Sequence, residues 1–233
     1  MRAFLVAIDG PAGSGKSSVA RAVAGRLGIV NLDTGATYRA AALLSLKEGV
    51  AQEDGPALAR LAARIELDEA GVRVDGGRIP EEALRTPEVS AAASRVSAHP
   101  ELRRVLVERQ RAAAENLGGA VMEGRDIGTV VLPDADVKVF LSASPDERAR
   151  RRAAQTNREA ELARIREAMR TRDKRDAERE ASPLVPAPDA VVIDTTGLTL
   201  DEVIERVVGL AEEARPRVPR PSGVEAETKP EAG

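Results

Sequence analysis

The chain has no cysteine and no tryptophan, and its 233 residues include one histidine, one tyrosine and two phenylalanines. Each shortage removes a class of chemistry. Without cysteine there is no disulfide framework, no thiolate metal site and no thiol nucleophile. The lone histidine, His99, cannot build an imidazole metal site, and its place before Pro100 marks a helix boundary rather than a base. Three aromatic rings (Phe4, Tyr38 and Phe140) are too few to form the stacking platforms that hold single-stranded nucleic acid. Long apolar runs are missing as well. None approaches the roughly 20 residues of a membrane-spanning helix, and the N-terminus enters a strand pattern rather than a signal peptide. No membrane partner and a cytoplasmic location are therefore expected. The 35 basic and 38 acidic residues leave a net charge of −3, which speaks against a general nucleic-acid partner.

What is present is concentrated in one octapeptide. Gly10-Pro11-Ala12-Gly13-Ser14-Gly15-Lys16-Ser17 fits the phosphate-loop pattern G-x-x-x-x-G-K-[ST] without a mismatch. The apolar run Phe4 to Ile8 before it reads as a buried strand. Ser17 to Leu27 after it has helical spacing, with Val19, Val23 and Leu27 on one face. In a strand–loop–helix unit the loop turns its N–H groups toward an anion and the helix N-terminus adds a favourable dipole. Residues 10–18, including Ser18, are thus expected to hold a nucleoside triphosphate. Lys16 would reach the β- and γ-phosphates, and the Ser17 hydroxyl would ligate Mg²⁺.

The rest of the chain alternates short apolar strands with helical patterns. Strands are expected over Gly28 to Leu32, Ala120 to Met122, Val137 to Leu141 and Ala190 to Ile193. With the first strand they make an α/β fold around a five-stranded parallel sheet flanked by helices. Helices are expected over Thr37 to Leu46, Pro56 to Ala63, Pro87 to Ser97, Pro100 to Leu117 and Leu200 to Ala214. A further arginine-rich helical region is expected from Pro145 to about Arg179, interrupted near Thr156-Asn157. Alternating Ile65, Leu67, Val72 and Val74 with glycine turns predict a small β insertion that reaches about Val89. From Arg215 the composition becomes polar and proline-rich, as in a disordered tail. These patterns divide the chain into a core (1–62, 98–147 and 180–214), an insertion (63–97), a lid (148–179) and a tail (215–233).

Ligands of such sheets bind at the carboxyl ends of the strands. Asp33-Thr34-Gly35-Ala36-Thr37-Tyr38-Arg39 follows the second strand, where Thr34 and Arg39 could line a polar pocket or simply cap a helix and face solvent. Glu123-Gly124-Arg125-Asp126 closes the strand after residue 120. Glu123 could hold a Mg²⁺-bound water and Arg125 could bridge two phosphates, or Arg125 and Asp126 could pair with each other. Most of the arginines after Arg148 have acidic neighbours at helical spacing, so only a subset is expected to act on a phosphate from a mobile lid.

Taken together, these motifs resemble the bacterial cytidylate kinases, a branch of the nucleoside monophosphate kinases. The likeness runs collinearly from about residue 3 to 214 through the phosphate loop, Asp33 to Arg39, Ser94 with Arg103, and Gly124 to Val131. It continues through Arg172-Asp173-Lys174-Arg175-Asp176 and Ser182-Pro183-Leu184. The resemblance implies that the β insertion is the monophosphate-binding region, and that Thr34 and Arg39 contact the nucleoside monophosphate. It implies that Ser94, Arg103 and Asp126 recognise cytosine, that Arg125 and Arg172 bind the acceptor phosphate, and that Asp176 and Arg179 face the pentose. It further implies ATP as donor, CMP and dCMP as acceptors, catalysis by Lys16, Arg125, Arg148 and Arg152, and action as a monomer. Two features depart from the pattern: Glu123 stands where aspartate is usual, and the stretch from Thr156 to Ala160 is short and lacks the customary glycine. Without the resemblance, another small-molecule kinase or a nucleotide-binding switch would fit the phosphate loop equally well.

Overall fold

The computed structural model describes residues 3–215. The first strand, β1 (Phe4–Asp9), lies at the centre of a five-stranded sheet of order β2-β6-β1-β7-β8, with β2 (Val30–Asp33), β6 (Gly119–Gly124), β7 (Val137–Ser142) and β8 (Val191–Asp194). Every pairing in it is parallel. Alternation along β1 explains the layering. Val6 and Ile8 face a cluster that contains Val19, Val23 and Leu27 of α1 (Lys16–Leu27) and Val203, Val207 and Ala211 of α9 (Leu200–Ala214). Ala7 faces the opposite side, where α2 (Thr34–Glu48), α3 (Gly55–Ala62), α5 (Pro87–Val96) and α6 (Pro100–Glu115) pack. The chain turns from β1 toward β2 on one side, whereas β7 leads to β8 on the other. The connections therefore diverge at the carboxyl end of β1, where parallel sheets open a crevice.

A second sheet, β3 (Ile65–Asp68), β4 (Gly71–Val74) and β5 (Gly77–Arg78), is antiparallel. Its Ile65, Leu67 and Val72 share one apolar cluster with Leu32, Leu58 and Met122 of the main body, so the insertion has no separate core. The expected β structure up to Val89 is corrected here. Strand pairing ends at Arg78, and Pro80 opens a single helical turn, α4 (Glu81–Leu84). Thr86 then caps α5 through Val89 N at 3.2 Å. Proline cannot donate to a ladder, and Thr-Pro is a helix-start signal.

The arginine-rich region forms α7 (Pro145–Gln155), a 3-10 turn (Glu159–Glu161) and α8 (Leu162–Glu178). The missing glycine at the α7 end has a local substitute. Asn157 takes the left-handed conformation (φ 51°), Arg158 N bonds Ala153 O at 3.0 Å and Asn157 N bonds Ala154 O at 3.2 Å. This is a Schellman closure with asparagine in glycine's place. Ala149, Ala153, Ile165 and Met169 pack together against Ala12, seating the helical pair on the phosphate loop. No helix among the described residues is long and apolar enough to cross a membrane. The expected disorder of the tail falls, from residue 216, outside the described residues.

Candidate active site

The phosphate loop is built around close approaches. Gly10 has φ 147°, and a Cβ there would stand 2.1 Å from the Leu141 carbonyl oxygen, so no other residue fits. Ser14 is fully buried and its hydroxyl donates to Pro11 O at 3.0 Å. Lys16, 7% exposed, folds back so that Nζ donates to Pro11 O at 2.7 Å. Burial pushes the amine well below the usual lysine range, and the nearby guanidinium groups of Arg125 and Arg172 push it the same way. The carboxylates of Glu123 and Asp9 pull the other way without offsetting the burial.

The loop forms one wall of a cleft of about 1140 Å³. Twelve basic and five acidic side chains line that cleft, although the whole chain carries a net charge of −3. Such an enclosed excess of positive charge suits a polyanionic ligand. The Nε groups of Arg39, Arg103 and Arg172 are buried without a hydrogen-bond partner, and buried donors are rarely left so without a ligand or water to take them.

Ser17 donates to Glu123 Oε2 at 2.7 Å. Glu123 closes β6 and is buried. Its carboxyl is raised, first by burial and then by the neighbouring charge of Asp33. A hydroxyl beside a buried carboxylate is a hard oxygen pair of the kind Mg²⁺ takes when phosphates and water complete its shell. Among the described residues there is no cluster of three or more His, Cys, Asp or Glu that could hold a metal on protein ligands alone. Any Mg²⁺ here would thus share its coordination with the nucleotide.

Opposite the loop, Arg103 and Asp126 form a buried ion pair, both 4% exposed. Arg103 also donates to Ser97 O at 3.2 Å, and its guanidinium lies 5.2 Å from the centre of the Tyr38 ring. Asp126 Oδ2 takes the Arg103 bond, while Oδ1 has only Arg179 Nη2, at 3.7 Å. Arg175 donates to Ser94 Oγ at 2.6 Å. Asp176, 3% exposed, accepts from Arg125 Nε at 3.0 Å and lies 3.8 Å from Arg172 Nε. Its carboxyl stays below the usual aspartate range. Burial works against this, but Arg125, Arg172 and Arg179 together outweigh it. Burial and Arg125 bring the Arg172 guanidinium down to about 10. Arg125 and Asp126 do not pair with each other. They serve different partners on either side of the backbone.

Thr34 is buried at the start of α2 and donates to Glu123 O at 2.7 Å, and Arg39 donates to Asp33 at 2.6 Å. α2 begins at Thr34 rather than Thr37 because the Asp33 side chain accepts from Ala36 N at 3.2 Å and caps it. Arg152 lines the cleft and donates to Gln155 at 3.0 Å. Arg148 and Ser18 do not line it. Ser18 is exposed on α1. Arg148 donates to Ala12 O at 3.1 Å, to Ala143 O at 3.0 Å and to Asp173, tying α7, α8 and the phosphate loop together. Replacing Arg148 by alanine should cost about 2–3 kcal/mol of stability in a urea melt, because Asp173 and two carbonyls lose their donor. Arg85, Arg95, Arg158 and Arg164 also reach the cleft. Their immediate sequence surroundings carry no motif that separates them from solvated charges.

A family model described as cytidylate kinase matches residues 6–213. A protein named cytidylate kinase from Desulfitobacterium hafniense is 48% identical over 213 residues, covering 88% of this chain and 91% of its own. Another protein of that name, from Symbiobacterium thermophilum, is 48% identical over 217 residues, covering 89% of this chain and 95% of its own. A solved structure of an uncharacterized protein from Eubacterium ventriosum shares the fold, with a TM-score of 0.52 at 15% identity over 90% of this chain and 98% of its own.

Proposed function

The chain belongs to the cytidylate kinase family, and from that membership we propose that this cleft transfers the γ-phosphoryl group of ATP to CMP, and also to dCMP. The products are ADP and the corresponding cytidine diphosphate. The observation that carries this reading is the joining, in one cation-lined cleft, of the phosphate loop with a second buried polar site around Arg103 and Asp126.

An oxygen of the acceptor phosphate is the nucleophile. It forms the new bond to the γ-phosphorus while the bond to the β-phosphate oxygen breaks, and ADP leaves with that electron pair. The acceptor's second ionisation lies near pH 6, so at neutral pH it needs no base. The work falls to alignment and charge. Lys16 stands at the β- and γ-phosphates, and Arg125 and Arg172 lie between the loop and the acceptor pocket. Arg152 approaches from α7. Mg²⁺, held by Ser17 and, through water, by Glu123, would supply further positive charge to the phosphates. Cytosine offers an amine donor, which suits Oδ1 of Asp126, and Ser94 and Arg103 suit its acceptors. Asp176 and Arg179 would face the pentose. The enzyme is proposed to act as a monomer. The absence of a membrane-crossing helix among the described residues supports a cytoplasmic site.

An ADP-release assay across CMP, dCMP, UMP and AMP tests the acceptor. CMP and dCMP should dominate, and a preference for AMP would overturn the assignment. ATP with Mg²⁺ at about a hundred times its Kd should raise the melting midpoint by about 5–10 °C. An unmoved midpoint would exclude the proposed donor site.

A further inference from the structure

Asp9 closes β1 and immediately precedes the phosphate loop. It is 4% exposed and does not line the cleft. Its two oxygens are both occupied, and by the same feature: Ile127 N donates to Oδ1 at 2.8 Å and Gly128 N to Oδ2 at 2.7 Å. Those amides open a short π-helical turn (Ile127–Val131) that follows directly on Asp126. The turn is irregular. Val130 N and Val131 N both bond Asp126 O, at 2.9 and 3.1 Å, and Leu132 N bonds Ile127 O at 2.7 Å. A wide turn of this kind leaves its leading N–H groups without carbonyl partners of their own, and π-turns recur at functional sites.

Two parallel donors need two acceptors on one short side chain. Only aspartate supplies them at this reach. Asparagine would present an amine to one of the two amides, and serine would offer a single oxygen. The other side of the segment is equally fixed. Thr34 holds Glu123 O, and Gly124 has no room for a Cβ, with Ile127 Cδ1 at 2.6 Å and Thr34 Oγ1 at 2.7 Å from the position it would occupy. The backbone from Glu123 to Gly128, which carries Arg125 and Asp126, is thus clamped between α2 and Asp9.

Burial raises the Asp9 carboxyl to about 6, and the two amides and Lys16 work against that rise while Asp126 adds to it. A group tuned so close to neutrality beside a phosphate loop invites the role of a base. The geometry denies it, because neither oxygen faces the cleft.

We propose that Asp9 is a positioning residue for acceptor selectivity: by accepting both leading amides of the π-turn, it sets where the Asp126 carboxylate stands toward the acceptor base. The inference rests on the proposed reading of cytosine by Asp126. It links the strand that launches the donor loop to the residue that inspects the acceptor.

The test is the ratio of kcat/KM for CMP to that for UMP, measured in wild type, Asp9→Asn, Asp126→Asn and the double variant. Asp9→Asn should lower the ratio about tenfold or more while KM for ATP stays within about threefold. The double variant should lose no more selectivity than Asp126→Asn alone, because both changes act through one carboxylate. A purely structural role would depress both acceptors equally and leave the ratio unmoved, which would overturn the inference. If Asp126→Asn itself keeps the wild-type ratio, the base-reading assignment fails, and the role of Asp9 fails with it. Should Asp9→Asn not fold, the wild-type protein decides. CMP saturation should shift the Asp9 carboxyl ¹³C resonance together with the Ile127 and Gly128 amides, and UMP should shift them less. A carboxyl resonance unmoved by CMP would equally overturn the proposal.

Discussion

Lys16→Ala should lower kcat about a thousandfold and leave the protein at least as stable as the wild type. The first half follows from charge. As the γ-phosphoryl passes between oxygens, its charge spreads over the equatorial oxygens, and a fixed cation in a dry site is worth far more there than in water. Removing one such preorganised group costs on the order of 10²–10³ in kcat, and here the lost group carries a full charge. The second half follows from burial. Lys16 is 7% exposed, donates to Pro11 O and, at 3.5 Å, to Ser14 Oγ, and feels the repulsion of Arg125 and Arg172 more than the attraction of Glu123 and Asp9. That environment pushes its amine well below the usual range, so the charged side chain is held at a cost to the fold. Alanine removes the cost along with the function, a trade-off that binding sites commonly show. Single-turnover kinetics and a urea melt on the same preparation check both halves. A kcat within about tenfold of wild type would exclude the role of Lys16 in phosphoryl transfer.

The difference between what local pattern reveals and what it hides runs through this molecule. β1 and α1 were legible because apolar spacing and the glycine loop are short-range signals. The five parallel strands followed from the alternation of strand and helix. α2 starts three residues before the expected Thr37 because Asp33 acts as its cap, and a cap shows itself only once the helix exists. The β structure of the insertion stops at Arg78, short of the expected Val89, because Pro80 and Thr86-Pro87 break the ladder. The π-turn had no signature at all. Its support comes from Asp9, 118 residues away from Ile127. The site shows the same division. The residue types were visible, but their partners were not: Arg125 sits beside Asp126 in sequence yet binds Asp176, 51 positions on, and Asp126 binds Arg103, 23 positions back. Neighbouring charges in a chain suggest a pair. The backbone at the end of β6 sends these two apart, Arg125 toward Asp176 on α8 and Asp126 toward Arg103 on α6.

That separation makes Asp126 the most informative position for specificity. Its Oδ2 is committed to Arg103, and in the proposed reading Oδ1, which has Arg179 at 3.7 Å among the described residues, is the acceptor for a base. Asp126→Ala would remove both roles. Arg103 and Arg179 would be left buried without their carboxylate, costing about 3–5 kcal/mol of stability, and activity on every acceptor would fall. Asp126→Asn separates the two effects. The amide oxygen can remain on Arg103, and the amide nitrogen then replaces Oδ1 toward the base. Cytosine presents an amine there and would meet a second donor, whereas uracil presents a carbonyl and would gain a partner. The ratio of kcat/KM for CMP to that for UMP should therefore fall about 10²-fold or more in the asparagine variant, with the UMP rate itself rising. Alanine should lower the ratio too, but with the CMP and UMP rates both falling. The discriminating observation is the UMP rate. If it falls in Asp126→Asn alongside the CMP rate, the carboxylate supports the fold of the pocket without reading the base. A rise assigns the hydrogen-bond exchange to this one oxygen.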